Sequence, residues 1–133
     1  MIKSKDEIND VVSEIKKYLP EGGIVLLRGD LASGKTTLVK AFVRSEGIAE
    51  EATSPTFSIM QIYGERIYHY DIYNEGLEKF LSSGLLENLE KEGYHFIEWA
   101  DERLQEILEV YGMAHITVEI RPHGAQREYR ISG

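Results

Sequence analysis

With 133 residues the chain has the length of one domain, able to bury about two thirds of its unfolded surface without help from a metal or disulfide, and residues 1–133 are expected to form that single domain. It has no cysteine, which excludes a disulfide framework, a thiolate metal site and a cysteine nucleophile. With 15 Lys plus Arg against 23 Asp plus Glu, the net charge of -8 argues against broad, autonomous binding to a phosphate backbone: DNA is not an expected partner, and any RNA would be held by another protein.

The N-terminal stretch Met1 to Glu7 is charged rather than a secretory signal, and no apolar run approaches the roughly 18 residues of a membrane span, so a soluble cytoplasmic protein with no membrane partner is expected. Ile8, Val11, Val12, Ile15 and Leu19 keep a helical apolar face until Pro20, with Ser4 or Asp6 placed to cap its start. Ile24 to Leu27 reads as a buried strand. After an intervening loop, Leu38, Ala41 and Phe42 recur at helical spacing in a helix ending near Gly47, and a polar loop covers residues 49–58. Ile59 to Tyr63 and Ile67 to Tyr70 flank Gly64-Glu65 as a hairpin whose second strand ends in Asp71. Leu77 to Lys91 suggests short helices broken at Gly84, followed by the strand Tyr94 to Ile97 ending in Glu98-Trp99 and a helix on Leu104, Ile107, Leu108 and Tyr111. Ile116, Val118 and Ile120 alternate as a strand, Pro122 to Gln126 turns the chain, and Arg127 to Ile131 forms the last strand. The late basic residues Arg121, His123, Arg127 and Arg130 are interrupted by Glu119 and Glu128, which favours a solvated strand pair over a docking patch. This order predicts an α/β fold with the mixed sheet of a P-loop NTPase: parallel core strands, an antiparallel portion and flanking helices.

The loop between the first buried strand and its helix carries the most chemistry. Gly29-Asp30-Leu31-Ala32-Ser33-Gly34-Lys35-Thr36 matches the phosphate loop G-x-x-x-x-G-K-[ST] at every fixed position. Glycines let the backbone curl until several N–H groups face one anion, Lys35 adds a mobile positive charge for the outer phosphates, and the Thr36 hydroxyl suits Mg²⁺. A Mg²⁺-nucleotide also needs acidic groups opposite the loop, and ligands of open α/β sheets collect at the carboxyl ends of the strands. Asp71 and Glu98 both lie at such ends, one to hold Mg²⁺ directly or through water and the other to orient an attacking water, with the assignment open between them. Trp99 reads equally as a core residue or as a shield over the phosphates, and His69 as a packed strand histidine ahead of one that contacts nucleotide or metal.

Gly29-Asp30-Leu31 through Gly34-Lys35-Thr36-Thr37, then Ser54-Pro55-Thr56-Phe57, then Tyr68-His69-Tyr70-Asp71-Ile72-Tyr73, then Phe96-Ile97-Glu98-Trp99 together resemble the bacterial TsaE (YjeE) family in order, spacing and length, over roughly residues 4 to 130. That resemblance implies a small P-loop ATPase required for making threonylcarbamoyladenosine in tRNA, acting with the partner proteins TsaD and TsaB and meeting tRNA indirectly through them. It implies that Gly29 to Thr36, with Thr37, hold the phosphates of ATP, that Thr36 and Glu98 address Mg²⁺, that Ser54, Pro55 and Thr56 form a switch-like loop near the γ-phosphate, and that Lys35, Asp71, Glu98 and Trp99 form the catalytic side. Many members carry Gly-Ala where this chain has Ala32-Ser33, and the added Cβ at position 32 narrows the backbone angles open to the loop. A small-molecule phosphotransferase and a non-hydrolysing nucleotide-dependent binding module are the alternatives. The first would need an acceptor pocket and usually a basic lid, of which the sequence shows no Arg-rich insertion; the second would carry the same phosphate loop.

Overall fold

The computed structural model describes residues 1–30, 34–48, 59–73 and 76–133. Its centre is β2 (Gly23–Arg28), apolar at four successive positions because both of its faces are covered: Ile24 and Leu26 pack into one layer, Val25 and Leu27 into the other. Parallel neighbours flank β2, with β5 (Tyr94–Glu98) on one side and β6 (His115–His123) on the other. β4 (Ile67–Asp71) lies parallel to β5, and β3 (Met60–Tyr63) closes that edge antiparallel to β4. Beyond β6, β7 (Gln126–Ser132) and the short β1 (Ile2–Lys3) pair antiparallel, giving a seven-stranded sheet in the order β1-β7-β6-β2-β5-β4-β3. The expected α/β mixed sheet, with parallel core and antiparallel portion, is therefore the one observed.

Helices cover both faces. α1 (Ile8–Tyr18) and α2 (Lys35–Ser45) lie on one, where Val12, Ile15, Leu38 and Phe42 meet Val25, Leu27, Phe96 and Val118. The Phe42 ring sits 4.6 Å from Tyr94 and 4.9 Å from Phe96, both contacts tilted or edge-on as aromatic quadrupoles prefer. α1 is led in by a 3₁₀ turn (Lys5–Glu7) whose N-cap is Ser4; the Ser4 N–H donates to Glu7 Oε1 at 2.9 Å. On the other face α3 (Gly76–Ser82), α4 (Leu85–Asn88) and α5 (Glu102–Val110) bring Leu77, Phe80, Leu104 and Leu108 over Ile24, Leu26, Tyr70 and Ile97. Under this layer runs a buried polar chain: Asn88 Nδ2 donates to the Tyr70 hydroxyl at 2.8 Å, the hydroxyl donates to His95 Nδ1 at 2.7 Å, and His95 Nε2 donates to the Lys91 carbonyl at 2.8 Å. The carbonyl can only accept, which fixes the His95 tautomer and the direction of the whole chain.

Two details differ from the sequence reading. The first strand is β1, whose two residues carry no periodic signal; it exists because Ile2 and Lys3 complete the free edge of β7, with the Tyr129 N–H on the Met1 carbonyl at 2.7 Å. β6 also continues through Pro122 to His123, so the turn expected over Pro122 to Gln126 is confined to Gly124 and Ala125. Its pairing with β2 ends at Glu119, so past that point one edge of β6 has no strand beside it and a proline without an N–H is tolerated. The hairpin between β3 and β4 turns at Gly64 and Glu65, both with positive φ of 60° and 72°.

Candidate functional site

The site is assembled where β2, β4 and β5 end. β2 delivers the chain to Gly29, and α2 begins again at Lys35 behind Gly34, which has φ 110°. Only glycine takes that conformation readily, and a Cβ there would collide with Arg127 Nη1 and lie 2.7 Å from its Cζ. The first turn of α2 carries no acidic side chain, so no carboxylate of its own offsets the positive end of the helix dipole there. Leu31, Ala32 and Ser33 lie outside the described residues, as do Ser54, Pro55 and Thr56. Asp30 is exposed, and Thr37 is half-buried in the first turn of α2.

Lys35 and Thr36 leave α2 toward the strand ends. Lys35 is buried; its Nζ donates to the carbonyls of Gly29 at 2.6 Å and Asp30 at 3.0 Å. Burial pulls its pKa below the usual lysine value, opposed by the carboxylates of Glu98, Asp71 and Asp30. Thr36 Oγ1 donates to Glu98 Oε2 at 2.8 Å, a contact that joins the loop helix to the end of β5. The same carboxylate oxygen meets Nε2 of His69, a fully buried residue of β4.

The pleat explains this convergence. β4 and β5 are parallel with His69 opposite Phe96 and Asp71 opposite Glu98, so His69, Asp71, Phe96 and Glu98 share one face of the sheet. Phe96 belongs to the core under α2, hence that face is the one Thr36 approaches. Asp71 is half-buried and accepts the Tyr73 N–H at 3.0 Å. Burial raises its pKa, the Tyr73 N–H opposes that rise, and the neighbouring Glu98 charge adds to it.

Trp99 follows Glu98 with φ 65°, a left-handed conformation that is costly for a side chain of its size. This turn carries the half-buried indole over Lys35 Nζ, 3.9 Å from the ring centroid, and against Tyr73, with ring centroids 4.4 Å apart. Arg28 braces the segment by donating to the Ala100 carbonyl at 3.2 Å and to Gln105 Oε1 at 2.8 Å. Trp99 thus packs against the site and against the apolar layer beneath α5 at once.

The structure therefore brings Lys35, Thr36, Asp71, Glu98 and Trp99 together from three segments of the chain. Sequence reasoning set two further residues aside. His69 was expected first as a packing residue, with contact to nucleotide or metal as the lesser alternative, although its alternation with Asp71 was a signal for a shared face. Arg127 was grouped with the solvated strand pair; Arg121 and Arg130 do pair there with Glu119 and Glu128, whereas Arg127 turns to Gly34. The donor set suits Mg²⁺, because a hydroxyl and a carboxylate are hard oxygen ligands and Mg²⁺ usually takes only one or two protein groups, completing its shell with phosphate and water. No cluster of three or more His, Asp or Glu able to hold a metal occurs among the described residues.

Known proteins resemble the chain over most of its length. The family described as Threonylcarbamoyl adenosine biosynthesis protein TsaE matches residues 2–130. The tRNA threonylcarbamoyladenosine biosynthesis protein TsaE of Treponema pallidum is 40% identical over 98 residues, covering 71% of this chain and 73% of that protein. Its counterpart in Bacillus subtilis is 31% identical over 118 residues, covering 80% and 74%. The crystal structure of Bacillus subtilis YdiB superposes with a TM-score of 0.61 at 25% identity, covering 97% of this chain and 84% of that one. The matched segment carries β2, the phosphate-loop sequence and all the strand ends described above, and the chain belongs to the TsaE family of threonylcarbamoyladenosine biosynthesis proteins.

Proposed function

We propose that the protein binds and hydrolyses ATP with Mg²⁺ to support the synthesis of threonylcarbamoyladenosine in tRNA, as a cytoplasmic accessory to TsaD and TsaB, which bring the tRNA. The observation that carries this reading is the 2.8 Å hydrogen bond from Thr36 Oγ1 to Glu98 Oε2, which couples the loop threonine to a strand-end acid as a Mg²⁺-nucleotide site requires.

In this reading the N-terminal turn of α2 receives the phosphates through backbone N–H groups, and Gly34 lets the chain approach them closely. Lys35 exchanges the Gly29 and Asp30 carbonyls for phosphate oxygens, a stronger partner for an ammonium. Thr36 and Glu98 would hold Mg²⁺, which supplies neutralisation of the charge that builds on the β- and γ-phosphate oxygens. Asp71, beside Glu98 and with raised proton affinity, orients the water that attacks the γ-phosphorus as the bond to the bridging oxygen breaks and ADP leaves. Trp99 limits entry of further water.

The test is ATP hydrolysis by the protein alone, with TsaD and TsaB, and with both plus tRNA. Turnover that rises with the partners is expected. Nucleotide binding without turnover under every condition would replace the ATPase with a binding module, and phosphate transfer to a small acceptor would replace it with a phosphotransferase.

A further inference from the structure

We propose that His69 is a positioning residue that fixes the carboxylate of Glu98 so that one oxygen serves Thr36 and the other faces the bound Mg²⁺-nucleotide. The proposal rests on the Mg²⁺-ATP reading above and assigns a role to a side chain that this reading does not use.

His69 is fully buried within β4, two residues before Asp71, and its Nε2 meets Glu98 Oε2. An ionised carboxylate has no proton to give, so Nε2 is the donor. Among the described residues the other ring nitrogen, Nδ1, is buried with no hydrogen-bond partner. A proton placed there would be an unsatisfied buried donor, whereas a bare lone pair costs less; the ring therefore carries its proton on Nε2, aimed at Glu98. A histidine kept only for packing has no reason to leave one nitrogen unpaired and spend the other on an acid that Thr36 already engages.

Both donors converge on Oε2, since Thr36 Oγ1 reaches the same atom at 2.8 Å. Among the described residues none donates to Oε1. A glutamate has three rotatable side-chain bonds and, with a single donor, would swing its carboxyl group between orientations. Two donors from different elements, one on α2 and one on β4, fix the plane of the carboxylate before any ligand arrives. Groups that orient a metal ligand from behind act in this way, and their loss weakens metal affinity while the ligand itself remains.

The experiment measures ATP affinity calorimetrically with and without Mg²⁺ in the wild type, His69→Leu and His69→Gln. Leucine keeps the apolar volume and removes the donor, while glutamine restores an N–H at about the reach of Nε2. We expect the Mg²⁺ concentration for half-maximal enhancement to rise about 10-fold or more in His69→Leu, with Mg²⁺-free affinity unchanged and most of the loss recovered in His69→Gln. Equal loss of Mg²⁺-free and Mg²⁺-linked affinity would show a merely structural role and overturn the proposal, as would wild-type Mg²⁺ dependence in His69→Leu. A wild type whose ATP affinity ignores Mg²⁺ would instead overturn the underlying reading of the site, and the proposal with it. Should His69→Leu fail to fold, the ¹⁵N-histidine spectrum of the wild type decides, with His69 assigned by its loss in His69→Gln: a proton on Nε2 supports the proposal and a proton on Nδ1 overturns it.

Discussion

Replacing Glu98 by glutamine should separate activity from stability. Glu98 is only 3% exposed and accepts from both Thr36 and His69. Hydrogen bonds to a charged acceptor contribute roughly 1.5–3 kcal/mol each and neutral ones roughly 0.5–1.5, so losing the charge weakens the pair by about 2–3 kcal/mol in total. Against this, keeping a carboxylate away from water costs several kcal/mol in real proteins, a penalty the amide avoids. The two terms nearly cancel, and the folding free energy of Glu98→Gln should stay within about 1 kcal/mol of the wild type or rise above it. Turnover behaves otherwise. With its carbonyl oxygen turned to Thr36 and His69, the amide presents an N–H₂ group where a metal or its waters need an acceptor, and the negative charge is gone. Loss of one preorganised electrostatic contact of this kind costs about 3 kcal/mol in the barrier, on the order of 10² in rate. The assay pairs urea unfolding of the ligand-free protein with ATP hydrolysis in the presence of the partner proteins. A variant that hydrolyses ATP at the wild-type rate would refute the placement of Glu98, and one that loses several kcal/mol of stability would show that its carboxylate serves folding.

Other perturbations test separate parts of the same geometry. Thr36→Ala removes a donor to Glu98 and the loop hydroxyl together, and the Mg²⁺ requirement for nucleotide binding should rise by about 10-fold, read by titrating Mg²⁺ at fixed ATP; an unchanged titration would exclude Thr36 as a metal ligand. Gly34→Ala forces a Cβ into the Arg127 guanidinium at a residue with φ 110°, so nucleotide affinity should fall by more than about 10-fold while the Phe42 core, and with it the cooperative unfolding transition, persists. Burial lowers the His95 pKa below its ordinary 6.5, so the unfolded chain takes up that proton more readily than the fold. Stability from this residue is therefore complete above the unfolded pKa and declines as pH falls below it; urea midpoints at pH 7.5 and 5.5 should differ less in His95→Phe than in the wild type, and an equal difference would remove His95 as the cause.

What the sequence made legible depended on how local each signal was. The phosphate loop, the strand feeding it and the helix after it are consecutive, and their periodicities and glycines are readable without any tertiary knowledge. The break at Gly84, where φ is 74°, and the hairpin at Gly64-Glu65 were legible for the same reason. β1 was not, since two residues carry no period and the strand is defined by the open edge of β7 rather than by itself. The continuation of β6 through Pro122 was hidden by a rule that holds for strands paired on both sides and lapses where β2 ends. Arg127 was misplaced because its neighbours are paired charges on the solvent side, and only the position of β7 against α2 distinguishes it from them.

The strand-end acids show where local reading stops and register takes over. Asp71 and Glu98 could each be placed at a carboxyl end from their own segments, yet nothing in either segment states that they lie side by side. That follows from the parallel pairing of β4 with β5, in which Asp71 falls opposite Glu98 and His69 opposite Phe96. Because side chains alternate with period two, a shift of one residue in this pairing would place Tyr70 opposite Glu98 and turn His69 and Asp71 to the face of α5. The apolar partners forbid the shift: Tyr68 and Tyr70 are buried among Leu77, Phe80 and Ile97, and would exchange places with a histidine and an aspartate. The aromatic residues between the polar ones thus hold the register, and through the register they keep both polar side chains on the face of one glutamate.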